Sequence, residues 1–397
     1  MSRLLFALAL VLVTACTDTQ PAISGTTSLA VTLVSPDPGD VDHRIAATQT
    51  TVVVNIQAID ANGKPDTTYN KQVPVYAHFL GTLTPYLDVP TGLSMIPASM
   101  TPPVNIISGV ANNVTIKLPP VFGPTTIWFD DDPDAGATYA AGVSPTLWYR
   151  DPFIADIQTP SSETAVDTYS AAPLDGKNVA VNTSKHGANG LMVVTSVFAQ
   201  GYTVADVACG ANMTPPCIAD DYDYVEVFSY SAPVDQDAQF LTEGQVIAGF
   251  AGGVTEFDGL TEIGFPQTFV AGTPVINKAL EPPTVVMDPT WFNTNKILFE
   301  RNEAGAIEVD NAVVCPLDAD YVTYKQWKVD PAGVGDAAAC GGKNLINLIT
   351  SGVSTVDPGT LVGKKVPRIV GILRPINIGS FNVWIIYPRS DADLTVN

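Results

Sequence analysis

Glycine and proline punctuate this chain from end to end, 31 and 32 of its 397 residues, scattered instead of clustered. No helix-length amphipathic stretch survives between them, and a proline inside a helix removes one hydrogen bond and clashes with the turn before it. Long helices are thereby excluded. The runs between the breaks are rich in β-branched residues: LAVTLV, TVVVNIQAID, KQVPVYAHFL, VNIISG, NNVTIKL and TTIWFD all fall before residue 131. Such runs, bounded by turn residues, read as strands of an all-β protein. With 46% apolar and 15% charged residues the chain has enough apolar surface to fold. Its 40 acidic against 19 basic side chains, a formal charge of −21, argue against a sequence-independent grip on nucleic-acid phosphates.

The first sixteen residues, MSRLLFALALVLVTAC, place Arg3 ahead of an apolar run from Leu4 to Val13. That run is too short for a permanent membrane helix and reads as a secretory signal. Val13-Thr14-Ala15-Cys16 resembles the lipobox of bacterial lipoproteins. The resemblance implies cleavage after residue 15, a diacylglyceryl group and palmitate on Cys16, and anchoring to membrane without a spanning helix. Thr17, standing where an inner-membrane retention signal commonly has Asp, points to the outer membrane, facing either the periplasm or the cell surface. The alternative is an ordinary signal peptide cut near Ala15. Residues 16–27 then form a tether.

Four cysteines remain in an exported chain, and an even number there suggests two disulfides out of three connectivities. Local pairing, Cys209 with Cys217 and Cys315 with Cys340, closes one loop inside each of two candidate domains. Metal ligation by these cysteines is poorly supported, because no CxxC occurs.

Residues 28–150 carry strands at sandwich spacing. AIDANGKPDTTYNKQVPVYAHFLGTL, followed by SGVANNVTIKL and TTIWFD, resembles bacterial Ig-like domains of the invasin type. A polar linker is expected over 151–176. Beyond it the chain repeats itself. YVEVFSYS, from Tyr224, precedes GQVIAGFAGGV; NLINLITS, from Asn344, precedes GKKVPRIVGIL. Gly244, Ile247, Phe250, Gly252 and Val254 align with Gly363, Val366, Ile369, Gly371 and Leu373, and Phe265-Pro266 answers Tyr387-Pro388. A strand, a turn, a strand with a central glycine and a closing strand suit a small barrel, in which glycine permits the sharp bend. Both copies resemble OB-type barrels of secreted bacterial proteins. The expected units are barrel 1 over 177–270, a connector over 271–296 and barrel 2 over 297–397.

Motifs for chemistry are scarce. His43, His78 and His186 lie far apart, without HExxH or H-x-H spacing, so they read as packed or solvated residues. GxSxG, SxxK, GxxxxGK[ST] and a strand-linked GxGxxG are all missing. Asp130, Asp131, Asp132 and Asp134 could supply oxygens to Ca²⁺, as could Asp220, Asp221 and Asp223, although neither run has the D-x-D-x-D-G spacing. Glu256 and Glu262 flank a hairpin turn and are a weak acid–base candidate. OB barrels often bind oligonucleotides or sugars, so the charge of each copy matters. Residues 177–270 hold 2 basic and 11 acidic side chains, whereas 296–397 hold 10 and 11. Lys364, Lys365, Arg368, Arg374 and Arg389 fall on the closing strands of the second copy and form the candidate anion-binding set.

These readings predict an Ig-like β-sandwich followed by two OB-like barrels, in a lipid-anchored extracytoplasmic binding or scaffolding protein without catalytic activity. A surface glycan, polyanion or protein is the expected partner, and no small-molecule cofactor is expected. The competing reading is an accessory module that recognises a polyanion or glycan through the second barrel.

Overall fold

The computed structural model describes residues 25–82, 93–131, 140–160, 162–163, 172–378 and 381–396. The leader and Cys16 lie outside the described residues. The protein is all-β, as expected, and the helices among the described residues are a few residues long.

In the N-terminal unit, β1 (Thr26–Ser35), β2 (Thr51–Asp60), β3 (Val75–Phe79), β4 (Val110–Lys117), β5 (Pro124–Asp130) and β6 (Ala141–Val143) belong to one sheet. Its order is β3-β5-β6-β1-β2-β4, with Leu93–Met95 at the β3 edge. The two halves are joined by a single parallel pair, Ser28 with Ala141, and fold over one core. Period-two alternation supplies that core: Val52, Val54, Ile56 and Ala58 on β2 meet Val75, Ala77, Ile127 and Phe129 from β3 and β5. This is the sandwich.

Residues 151–160 depart from the linker expected there. Helix α1 (Ile154–Gln158) buries Ile154 and Ile157 completely, and Gln158 donates its side-chain amide to the Tyr224 carbonyl. Two isoleucines in a polar stretch are a weak sequence signal, yet they suffice to tie the sandwich to the first barrel.

Barrel 1 is built from β7 (Lys177–Val181), β8 (Gly190–Phe198), β9 (Gly201–Gly210), β10 (Tyr224–Phe228), β11 (Val246–Ile247), β12 (Gly249–Phe257) and β13 (Leu260–Phe269). Its order is β8-β9-β10-β13-β12, with β10 and β13 parallel. β11 returns to β8 through Met192–Ile247 and Val193–Val246, and β7 lies along β12. β7 also pairs with Gly81–Thr82 of the sandwich, so one hydrophobic cluster runs through both units.

Barrel 2 comprises β14 (Ala306–Val314), β15 (Gln326–Asp330), β16 (Ile346–Ile349), β17 (Lys365–Ile378) and β18 (Phe381–Tyr387). The ring β14-β15-β16-β18-β17 closes on itself through β14–β17, and β16 and β18 are parallel. Both units therefore have the order 1-2-3-5-4 with a parallel 3–5 pair, the Greek-key arrangement of a five-stranded OB barrel. The repeated residues occupy equivalent places: Ile247, Phe250, Val254, Val366, Ile369 and Leu373 are all buried, and Gly244 and Gly363 adopt φ of 75° and 74°. The connector is part of the folded body. Leu280 packs into barrel 1, Met287 and Trp291 pack into barrel 2, and Phe299 of helix α2 (Ile297–Arg301) stacks on Trp384 at 5.2 Å.

Both local disulfides are present, Cys209–Cys217 and Cys315–Cys340, with sequence separations of 8 and 25. Loop-closure entropy scales with loop length, so the longer loop in barrel 2 should contribute about 3.5 kcal/mol and the shorter about 2.5 kcal/mol. Thermal unfolding of paired Cys→Ser variants measures this. We expect Cys315→Ser with Cys340→Ser to lower the midpoint more than Cys209→Ser with Cys217→Ser; the reverse order would mean that the longer loop is already constrained when unfolded.

Candidate functional site

The five cations proposed from the sequence do not form one exposed patch. Lys364 and Lys365 are exposed at the start of β17. Arg368 lies 2.8 Å from Glu308 Oε2, and this guanidinium holds the Glu308 carboxyl below its usual range. Arg374 points toward barrel 1, with Nη2 2.9 Å from Oε1 of the fully buried Glu226. Arg389 also bridges the barrels: Nη1 donates to the Thr195 carbonyl at 3.0 Å and to Glu281 Oε2 at 3.3 Å, while Nε donates to Asp393 Oδ2 at 3.0 Å. Lys365, Arg368 and Arg374 lie on β17, whereas Lys364 just precedes it and Arg389 follows β18, and period two could not reveal partners that are distant in sequence.

Arg374 and Arg389 sit at the edge of a cleft of about 650 Å³ between the barrels, lined also by Phe198, Thr203, Glu226 and Tyr387. The Arg374 guanidinium lies 5.1 Å from the centroid of the Tyr387 ring and 5.8 Å from that of Phe198, within cation–π range. Strand register explains the charge. β10 and β13 are parallel neighbours, and Glu226 is directly opposite Glu262. Like charges directly opposite are destabilising, and Arg374 offsets them.

An acidic seam extends from this point along the contact between barrel 1 and the segment around α2. Burial pushes the Glu226 carboxyl up to about 7 against the opposing pull of Arg374. Burial, reinforced by Glu256, also carries Glu300 up to about 7. Glu303 is raised well above the usual carboxylate range by burial and then by Glu300 and Glu256; its Oε1 accepts from Thr261 N at 2.8 Å. The seam thus holds protons near neutral pH. No histidine or cysteine is among the described residues that line the cleft.

Glu256 and Glu262 do not work as a pair. Glu256 is opposite Thr261 and Glu262 is opposite Thr255 in the β12–β13 hairpin, which places the two carboxylates on opposite faces. Glu256 Oε1 is already engaged by Thr261 Oγ1 at 2.6 Å and Ala172 N at 2.9 Å.

Of the acidic run proposed for Ca²⁺, Asp132 and Asp134 lie outside the described residues. Asp131 is committed elsewhere. Its Oδ2 accepts from Tyr69 Oη at 2.9 Å and Lys71 Nζ at 2.8 Å, and its Oδ1 accepts from Ala140 N at 2.8 Å. Asp130 is paired with Ala141 at the end of β5.

A constellation of which the sequence singled out only Asp223, in the second acidic run, lies elsewhere on barrel 1. His186, Asp206 and Asp223, 20 and 17 residues apart, are brought together by the loop before β8, by β9 and by the turn before β10. A sequence signal for it exists in Asp206. It is a charged residue in the middle of the apolar run GYTVADVAC, so its side chain had to be buried.

No known family matches the sequence, and no curated protein does. Among solved structures, dimeric latent PorU from Porphyromonas gingivalis matches at 8% identity and a TM-score of 0.20, over 91% of this chain and 34% of PorU. The chain spans about a third of that protein's length, and a likeness so slight carries no argument.

Proposed function

We propose that this chain is a lipid-anchored extracytoplasmic protein that acts as a rigid binding or scaffolding module, not as an enzyme. The observation that carries this reading is the commitment of Arg374 and Arg389 to carboxylates and carbonyls between the barrels. An ion pair with a wholly buried Glu226 resists sliding, because separating it leaves an uncompensated charge in the interior. Strand pairing between the sandwich and barrel 1, together with the shared core, supports the same rigidity at the other junction. Anchoring rests on the lipobox-like Val13-Thr14-Ala15-Cys16. The polyanion reading retains only Lys364, Lys365 and the Glu308-paired Arg368, a weak surface on a molecule of charge −21.

Two measurements on the expressed full-length protein test the reading. Cys16→Ser should move the protein from the detergent phase to the aqueous phase, and the wild-type protein should pass through heparin and nucleic-acid columns without salt-dependent retention. Retention that weakens steeply with salt and disappears in Lys364→Ser with Lys365→Ser would restore the polyanion reading. Persistence of Cys16→Ser in the membrane fraction would remove the lipid anchor.

A further inference from the structure

We propose that His186, Asp206 and Asp223 bind a divalent transition-metal ion of the zinc or manganese class. One donor atom from each lies within 4.8 Å of the other two. His186 Nε2 and Asp223 Oδ2 are 2.9 Å apart, close to the roughly 3.3 Å that separates neighbouring ligands around a tetrahedral ion with bonds of about 2.0 Å.

The carboxylates are held in place beforehand. Asp206 Oδ2 accepts from Lys185 N at 2.9 Å, Asp223 Oδ2 accepts from Asp220 N at 2.8 Å, and the backbone of Asp206 donates to the Asp223 carbonyl at 2.8 Å. Supporting hydrogen bonds of this kind orient ligands for a metal. A second and independent feature points the same way. Asp206 is wholly buried, and its Oδ1 accepts no hydrogen bond among the described residues. A buried carboxylate oxygen without a donor is costly in a folded protein unless something else satisfies it.

Charge favours a cation. Lys185 Nζ lies 2.7 Å from Asp223 Oδ1 and offsets one of the two carboxylates, so with a neutral imidazole the group keeps one net negative charge. The donor set selects the ion. Ca²⁺ and Mg²⁺ prefer all-oxygen shells with more ligands, whereas one imidazole and two carboxylates with open positions suit Zn²⁺, Mn²⁺ or Fe²⁺. Binding uses the lone pair of Nε2, so a neutral ring binds as the Nδ1–H tautomer with no net proton release, and an imidazolium gives up its Nε2 proton to solvent. Lys185 and Asp220, which pair with or hydrogen-bond to Asp223, line a groove of about 720 Å³.

The test uses the full-length protein after treatment with a chelator, titrated calorimetrically with Zn²⁺, Mn²⁺ and Ca²⁺. We expect a single equivalent of Zn²⁺ or Mn²⁺ to bind in the micromolar range and raise the thermal midpoint, with Ca²⁺ weaker. His186→Gln and Asp206→Asn should each weaken binding roughly tenfold or more, while His43→Gln, at an exposed histidine beside Asp40, should leave it unchanged. Co²⁺ added to the unmutated protein should give visible absorption bands of nitrogen and oxygen ligation, a readout that does not depend on the variants folding. No Zn²⁺ or Mn²⁺ binding by the unmutated protein, no Co²⁺ bands, or binding undiminished in both variants would overturn the proposal.

Discussion

The protein should be markedly more stable at pH 5 than at pH 8, and Glu303→Gln should remove part of the difference. Glu226 and Glu300 have folded-state pKa values raised to about 7 from 4.5, and Glu303 is raised well above that reference. A carboxyl whose pKa is higher when folded binds its proton more tightly in the native state. Its contribution to stability is complete below pH 4.5 and is lost as the pH rises through the folded value near 7. At about 1.4 kcal/mol per pH unit, each of the two groups near 7 accounts for a few kcal/mol across this window. Glu256, Glu262 and Glu281 are raised by burial as well and act with the same sign. Glu308, lowered by Arg368, and Glu163, lowered by Tyr222 and Arg301, act in the opposite sense. What they contribute is present above 4.5 and is lost as the pH falls through their folded values, below the window that matters here. The optimum is therefore mildly acidic.

Two variants separate this cause from general repulsion in a chain of charge −21. Glu303→Gln keeps an acceptor for Thr261 N and removes the titration, so it should raise the melting temperature at pH 8 and change little at pH 5. Arg374→Met should do the reverse. It leaves Glu226 and Glu262 opposed without a cation, with a loss of about 3–5 kcal/mol at pH 8 and less at pH 5, where protons replace the missing charge. A melting temperature that stays flat between pH 5 and pH 8 would sink the account.

These same residues mark the boundary of what was legible in the sequence. Strand positions could be read because burial alternates with period two, as along β2 and β5, and the disulfides could be read because each pair closes a local loop. The position of Arg374 on its strand was also readable, whereas Arg389 falls in the turn after β18. Their partners were not, since Glu226 and Glu281 precede them by more than a hundred residues and only the closed barrels bring them near. His186, Asp206 and Asp223 share this property, because no spacing rule links a loop, a strand centre and a turn. One general signal was nevertheless present. Glu226 in YVEVF and Asp206 in VADVA are acids in the middle of apolar strands, and burying such a group demands a partner or a proton.

The internal repeat makes the sharpest claim on the fold, because it assigns the same task to two glycines 119 residues apart, Gly252 and Gly371. A Cβ at Gly371 would stand 2.6 Å from Pro388 N and from the Tyr387 carbonyl carbon, and one at Gly252 would stand 2.7 Å from the Gly264 carbonyl oxygen. Ile386 Cγ2 and Ile263 Cγ2 stand as near, at 2.6 and 2.5 Å, but the backbone atoms are ones that a side-chain rotation cannot clear. The two strands would have to separate at the point where the barrel bends. Gly371→Ala and Gly252→Ala should therefore each lower stability by about 3 kcal/mol or more, the upper end of overpacking effects. Gly363 provides the contrast. It needs its positive φ of 74° but has open space around the Cβ position, so Gly363→Ala should cost only about 1–2 kcal/mol. Denaturant unfolding of the three variants orders them. If Gly371→Ala or Gly252→Ala proved no worse than Gly363→Ala, the glycines would not be what lets the strands close, and the repeat would be a likeness of sequence without a shared mechanical cause. If both are severe, close approach of backbone to backbone explains why glycine recurs at that one position of each barrel.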